Sequence, residues 1–310
     1  MLTERQITDT ILMVRPASFG FNPQTAANNA FQEETTDLKP SEIQTLALQE
    51  FDSFVATLRN AKIRVIVIQD TDSPTKFDAI FPNNWISTHK NGALITYPMF
   101  APMRRLERRE DIIGGLLDEF LIKERIRLEQ HEANEIYLEG TGSMILDRPH
   151  QLVYACRSVR TDEKVLDDFC EQMGYEKVLF TSTDKTGLEI YHTNVMMALG
   201  EDFVVICLNS IKDGKEWANL HRKFEETKKA IIEISMEQMS SFAGNMLQVR
   251  NTDGDTFLVM SEQAYRSLTK EQIQQIEQYT NILYSPLYTI EKFGGGSARC
   301  MMAEIFAERK

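Results

Sequence analysis

Three residues have the types that nucleophilic catalysis needs, and each sits in or beside a turn of small residues. Glu139 precedes Gly140-Thr141-Gly142, His192 lies in Tyr191-His192-Thr193-Asn194, and Cys300 follows Gly294-Gly295-Gly296-Ser297-Ala298-Arg299. A thiol attacks as thiolate and so needs an acid/base partner, and a histidine is best held in one tautomer by a carboxylate. Together they could carry out covalent catalysis, with Cys300 as nucleophile, His192 as acid and base, and Glu139 as the group that orients it. The stretch Met301–Glu308 has helical character, and unpaired N–H groups at its start would favour the thiolate. A buried core cysteine is the other reading of Cys300, and it is the one that fits Cys156, Cys170 and Cys207. The four cysteines form no Cys-x-x-Cys, which disfavours a zinc site and a disulfide framework. His89, His131, His150 and His221 have no partner at ligand spacing, so no metal is expected. The triple glycine is not followed by Gly-Lys-Ser/Thr, which leaves a phosphate-cradling loop poorly supported.

These residues must be brought together by a mixed α/β chain. Ser41-Glu42-Ile43-Gln44 is a helix start, and Leu46, Leu48, Phe51, Phe54, Val55 and Leu58 continue it at near-helical spacing. Short β-branched runs at 63–68, 152–156, 203–208 and 256–259 predict strands, with helices between them over 163–173, 216–235 and 270–278, and a helical stretch over 104–129. The small-residue turns share one register. Their fourth members, Ser143, Asn194, Asn245 and Ser297, are spaced 51, 51 and 52 residues apart, and Phe81-Pro82-Asn83-Asn84 lies 59 residues earlier. Counting an N-terminal segment around Met13–Ser18, about five units of strands and a helix account for the chain. Units of this size cannot bury an apolar face alone, so they stack or close around an axis, and in a ring the turns would converge. Chance alignment is the alternative, and the chemistry of the turns weighs against it.

Composition excludes several functions. The 310 residues carry 34 Lys+Arg against 46 Asp+Glu, a formal charge of −12. The densest basic stretch, 103–109, is broken by Glu107 and followed by Glu110-Asp111, so nucleic acid is not an expected partner. No apolar run approaches the roughly 20 residues of a membrane span, and Met1–Gln6 lacks the basic-then-apolar pattern of a signal peptide. The expectation is one cytoplasmic catalytic domain over residues 1–310, with no membrane partner and a possible homo-oligomer. The segment 17–31, with Gly20, Pro23 and three asparagines, is a candidate loop.

The motifs resemble those of the guanidine-modifying superfamily of arginine deiminases, dimethylarginine dimethylaminohydrolases, agmatine deiminases and amidinotransferases, over nearly the whole chain. Leu138-Glu139-Gly140-Thr141-Gly142 is similar to its Leu-Glu-Gly-Gly-Asp turn, His192-Thr193-Asn194 to its His-x-Asp turn, and 294–300 to its Gly-rich cysteine loop. The resemblance implies five ββαβ units in a closed, five-fold pseudo-symmetric α/β propeller, the pentein fold, without metal or organic cofactor. By overall appearance, including 13–22 and 81–85, the chain resembles the citrulline-utilisation hydrolase subgroup.

Two departures bear on the substrate. Where members acting on arginine place carboxylates against the guanidinium, this chain has Asn84 and Asn194. A guanidinium offers only donors and a full charge, which suits carboxylates; a neutral ureido group presents a carbonyl acceptor beside N–H donors, which suits amides. The resemblance and this substitution together lead to a citrulline ureidase yielding ornithine, ammonia and carbon dioxide. Arg15, Arg104 and Arg299 are candidates for the substrate carboxylate, and Trp85 for a pocket wall. Rival readings are an arginine deiminase or methylarginine hydrolase with Asp78 or Asp147 supplying the missing acid, an amidinotransferase, and a non-catalytic propeller used for binding. A cysteine protease is disfavoured, since a His preceding its Cys by 108 residues matches no local protease signature.

Overall fold

The computed structural model describes residues 5–26, 29, 31–34 and 37–310. Met1–Glu4, and residues 27, 28 and 30 of the expected loop over 17–31, lie outside the described residues. The chain is mixed α/β, with fifteen strands in five three-stranded sheets among the described residues. The first sheet combines both ends of the chain: β1 (Thr10–Arg15) pairs in parallel with β2 (Arg64–Gln69) and antiparallel with β15 (Ala303–Glu304). The second is β3 (Ile86–Thr88), β4 (Ala93–Thr96) and β5 (Glu124–Arg127); the third β6 (Met144–Asp147), β7 (Leu152–Cys156) and β8 (Glu176–Phe180). The fourth is β9 (Met197–Leu199), β10 (Phe203–Ile206) and β11 (Ala230–Glu233); the fifth β12 (Leu247–Arg250), β13 (Thr256–Ser261) and β14 (Asn281–Ser285). In every sheet one outer strand pairs antiparallel with the middle strand and the other pairs parallel. The parallel step needs a crossover, and a helix supplies it each time.

Those helices are Pro40–Asn60, Glu110–Glu119, Glu163–Met173, Gly214–Glu226 and, in the fifth unit, Glu262–Ser267 with Lys270–Glu277. The first turns Ile43, Ala47, Phe51, Phe54 and Leu58 inward, the i, i+4 stripe of a helix covering a sheet. The third starts on Asp162, whose side chain accepts from Lys164 N, and ends at Gly174 in the left-handed conformation at φ 73°.

Three expected elements differ. The stretch 104–129 is not one helix: it holds a 3-10 turn at Pro102–Glu107, the Glu110–Glu119 helix and strand β5. The helix expected over 216–235 ends at Glu226, because β11 begins at Ala230 and pairs with β10. Residues 301–308 are not helical. Met301 and Met302 close a turn and Ala303–Glu304 pairs with β1, so the edge of a sheet overrides the local helical propensity. Cys300 therefore does not stand at a helix start.

The repeated register has a structural meaning: the turns Pro82–Asn84, Gly140–Ser143, Thr193–Met196, 242–245 and 297–300 each lead into the antiparallel outer strand of a sheet. Neighbouring turns are fastened to one another. Thr141 Oγ1 donates to Asn83 O at 3.3 Å, Thr193 Oγ1 to Ser143 O at 2.6 Å, and Asn245 Nδ2 to Asn194 O at 2.9 Å, while Arg299 N donates to Asn245 Oδ1 at 3.1 Å. A Cβ on Gly296 would stand 2.9 Å from the Phe81 ring, which brings the last turn against the first. Among the described residues no helix is long and apolar enough to cross a membrane.

Candidate active site

The turns bring His192 and Cys300 to one buried cavity, with Glu139 behind His192. Glu139 is fully buried, and its Oε2 meets His192 Nε2 at 2.8 Å while its Oε1 accepts from Phe100 N at 2.9 Å. Burial alone would raise the Glu139 carboxyl, but Arg160, the His192 hydrogen bond and Arg104 outweigh it and hold it well below the usual carboxylate range. Burial pushes His192 down to about 4, against the opposing pull of Glu139. The imidazole is therefore neutral near pH 7, with the proton on the nitrogen facing Glu139 and the other free to act as a base. There is no room for a side chain beside it. A Cβ on Gly142 would lie 2.8 Å from His192 Nδ1 and 2.3 Å from Asn84 Nδ2.

Cys300 Sγ faces two amides. Asn245 Nδ2 donates to it at 3.2 Å and Asn194 Nδ2 at 3.4 Å. The two N–H donors stand against the sulfur where a helix terminus was expected. Asn194 Oδ1 is buried and has no hydrogen-bond partner among the described residues. On the other side Arg104 Nη1 donates to Asn84 Oδ1 at 3.0 Å. Arginine has no acceptor, so this contact fixes the amide with Nδ2 away from Arg104; that nitrogen is buried and likewise without a partner among the described residues.

Arg104 is held by Glu107 through two bonds of 2.9 Å, with Asp78 Oδ2 at 3.7 Å. Burial opposes its charge, but Glu107, Asp78 and Glu139 together raise it above the ordinary arginine value. Asp78 accepts from Asn22 Nδ2 at 2.7 Å, and its Oδ1 has no partner among the described residues; burial raises its pKa against the pull of Arg104. Arg160 stands 3.5 Å from Glu139 Oε2 and lies over the Tyr191 ring at 4.8 Å. The cavity between these groups has room for little more than one water. Four residues fasten across it: Asn22 to Asp78, Thr25 O to Arg160 Nη2, Asn29 Nδ2 to Gly295 O and Gln32 Nε2 to Gly294 O.

Of the expected substrate contacts, Asn84, Asn194 and Arg104 line or adjoin the cavity, while three others do not. Arg15 points outward to a bidentate pair with Asp52 at 2.8 Å. Trp85 is 1% exposed in the core with Leu12, Val14 and Ile86, because it follows the turn and faces the opposite side from Asn84. The Arg299 side chain donates to Met302 O and Glu304 Oε2, and only its backbone N–H reaches the turns. Asp147 is also elsewhere, bound to His150 Nδ1 at 2.8 Å, whereas Asp78 lines the cavity. Sequence reasoning missed Arg160 and the role of Asn245. For Asn245 the signal existed, since it is the fourth member of an aligned turn; Arg160 lies in a loop outside the register.

The profile of the family described as N,N-dimethylarginine dimethylhydrolase, eukaryotic, matches residues 15–307. No curated protein sequence matches the chain. Among solved structures, the product-bound N-terminal domain of ArgZ, an arginine dihydrolase from the ornithine-ammonia cycle in cyanobacteria, superposes with a TM-score of 0.72 at 16% identity, covering 96% of this chain and 97% of that one. Full-length apo ArgZ gives 0.73 at 16%, and the chain spans 40% of its length. A histidine-to-glycine mutant of a dimethylarginine dimethylaminohydrolase, as an adduct with S-methyl-L-thiocitrulline, gives 0.64 at 13%, covering 96% and 100%.

Proposed function

The chain belongs to the N,N-dimethylarginine dimethylhydrolase family, cysteine-nucleophile hydrolases of the guanidine-modifying superfamily, and from that premise we propose that it is a citrulline ureidase. The observation that carries the reading is the opposed pair of amides. Asn84, with its oxygen claimed by Arg104, offers an N–H donor; Asn194, with its nitrogen on Cys300, offers a carbonyl acceptor. A ureido group answers both, its oxygen accepting from Asn84 and its NH2 donating to Asn194. A guanidinium, which has only donors, would leave the Asn84 N–H facing another N–H. A buried polar group left unpaired this way costs about 1–3 kcal/mol, enough to rank the two substrates.

In this mechanism neutral His192 takes the Cys300 proton as sulfur bonds to the ureido carbon, and the two asparagine donors stabilise the developing thiolate. The resulting imidazolium, held by ionised Glu139, passes its proton to the departing nitrogen. His192 then removes a proton from the water that hydrolyses the thioester-like intermediate, returning the thiol. One water is consumed per citrulline, and ornithine, ammonia and carbon dioxide are released. With Arg104 committed to Asn84 and Glu107, the reading assigns the substrate carboxylate to Arg160, and admitting an amino acid requires the four contacts across the cavity to give. The same reading treats the five sheets as closed into a single-domain propeller over 1–310, with the turns at its axis.

A second reading, arginine dihydrolase, is favoured by one observation: Asp78 presents an unpaired carboxylate oxygen to the cavity and could receive a guanidinium. Supplying purified protein with L-citrulline or L-arginine, with Cys300→Ala alongside, separates the cases. Ornithine from citrulline alone supports the ureidase. Ornithine and two ammonia from arginine would establish the dihydrolase, and citrulline as the end product from arginine would overturn the amide argument.

A further inference from the structure

Tyr191 precedes the acid/base histidine and has no step in the reaction above, yet its side chain meets three parts of the site. It is buried, and its ring stands 4.7 Å from the His192 imidazole, centroid to centroid. The Arg160 guanidinium lies over the same ring at 4.8 Å. The Tyr191 hydroxyl donates to Gly295 O at 2.7 Å, in the Gly-rich turn that leads to Cys300, and Phe31 packs edge-on to the ring at 6.3 Å. Tyr191, Arg160, His192, Gly295 and Cys300 all line the one cavity. Burial raises the phenol above its ordinary value, so it stays neutral and its hydroxyl remains a donor.

We propose that Tyr191 is a positioning residue that sets the site's preference for a substrate carboxylate: its ring holds the Arg160 guanidinium facing the cavity, and its hydroxyl, bound to Gly295 O, fixes the ring. The inference rests on the reading that Arg160 receives that carboxylate. Arg160 is itself buried, and a buried cation is drawn toward an anion, here Glu139 Oε2 at 3.5 Å. Glu139 is already committed to His192 and to Phe100 N, so a guanidinium that moved onto it would leave the cavity and compete with the histidine. The face of an aromatic ring supplies a second attraction, which is strongest where water is excluded. That contact takes none of the N–H donors, which a carboxylate engages as a pair. Thr25 O, which accepts from Arg160 Nη2 at 3.0 Å, belongs to the segment that must give when an amino acid enters. Tyr191 is tied instead to the Gly-rich turn, and its ring keeps its place under the guanidinium while that segment moves.

The test varies the electron density of the ring at nearly constant shape: Tyr191 is replaced by phenylalanine, then by phenylalanine carrying one, two and three ring fluorines. Each fluorine weakens the pull of the ring face on a cation. The first readout is the rate of Cys300 alkylation by iodoacetate divided by that by iodoacetamide, followed on its peptide by mass spectrometry. The reagents are similar in size and only the first carries a carboxylate, so thiol ionisation and access cancel in the ratio. Tyr191→Phe should stay within about twofold of wild type, and the ratio should fall about threefold or more from phenylalanine to the trifluoro ring. The second readout is KM for L-citrulline, or for L-arginine if that is what the protein turns over, since both carry the same carboxylate. KM should rise along the series while kcat changes less. With Arg160→Gln the series should lose its slope. A ratio or a KM that stays flat overturns the proposal, and so does a slope that persists without Arg160. The labelling ratio needs no substrate: citrulline left unconverted would sink the ureidase alone, and a flat ratio with turnover intact would sink the role of Tyr191 alone.

Discussion

Under the proposed function Asn84 selects the substrate, because Arg104 Nη1 donates to its Oδ1 and leaves Nδ2 as the group presented. Asn84→Asp puts a second acceptor where the amide offers a donor, so the ureido oxygen would meet a carboxylate and a guanidinium would meet its natural partner. Citrulline kcat/KM should fall by roughly 10²-fold or more while arginine turnover rises, giving an inverted specificity ratio in parallel assays; unchanged preference would mean that the amide pair does not choose. His192 gives a second prediction. With its pKa near 4 it is the base above that value, so the acidic limb of kcat/KM should lie near 4 and not at the usual histidine value of about 6.5. The sign of the linked stability follows. The unfolded state binds the proton more readily, so stability from His192 is present above about 6.5 and is lost as pH falls toward 4. Glu139, also held low, acts in the same direction below the ordinary carboxylate value. That Glu139, His192 and Cys300 lie together was legible because their turns share one register and few residue types could do such chemistry. Arg15, Trp85 and Arg299 were misplaced because nearness in sequence to a site turn does not fix which way a side chain leaves it, and Arg160 carries no mark that separates it from a surface arginine.

At the scale of elements, the turns do the positioning, and their glycines mark where one turn presses on the next. A methyl on Gly142 would meet the functional ends of Asn84 and His192, which are side-chain atoms that can shift, whereas a methyl on Gly244 would stand 2.2 Å from the Val195 carbonyl oxygen and 2.8 Å from Met196 backbone. The two substitutions should therefore separate. Gly142→Ala is expected to keep its melting temperature within a few degrees and lose roughly 10- to 100-fold in kcat, because misplacing reacting groups by about an ångström costs that much. Gly244→Ala should cost about 1–3 kcal/mol of stability through overpacking, read as a lowered midpoint in denaturant. Similar effects on both quantities in both variants would show that the turns are not distinct in function. The register of these turns was visible in sequence because each unit reuses one small-residue corner before an outer strand. Only β2, β7, β10 and β13 were legible as strands, while β5, β11 and β15 fall in stretches whose pattern reads as helix. These three are short, so only their partners β4, β10 and β1 fix them as strands.

Across the whole molecule, the first sheet exists only when the two ends of the chain meet. Ile11 and Leu12 of β1 face Glu304 and Ala303 of β15, Thr8 Oγ1 donates to Ile305 O, and Ile305 N donates to Thr10 O at 2.9 Å. The same C-terminal strand reaches the second sheet, where Phe306 N donates to Thr88 Oγ1 at 2.9 Å and Leu121 N to Glu308 O at 2.7 Å. Ile305 and Ala307 complete the apolar cluster that contains Trp85. Ending the chain after Met302 would therefore remove the strand that joins first sheet to second and expose that cluster, although it leaves every candidate site residue in place. The truncated protein should lose cooperative thermal unfolding and activity together. Joining the ends with a flexible linker and reopening the chain at the exposed Asp253–Gly254 turn between β12 and β13 keeps all five sheets, and this permutant should melt cooperatively within about ten degrees of the parent and retain turnover. A truncated form that folds and works, or a permutant that does neither, would mean that the five sheets do not depend on one another as their contacts imply. The outcome also bears on the site, because Cys300 is carried on the chain just before β15, and a loose last strand would remove the sheet pairing that fixes the chain on that side of its turn.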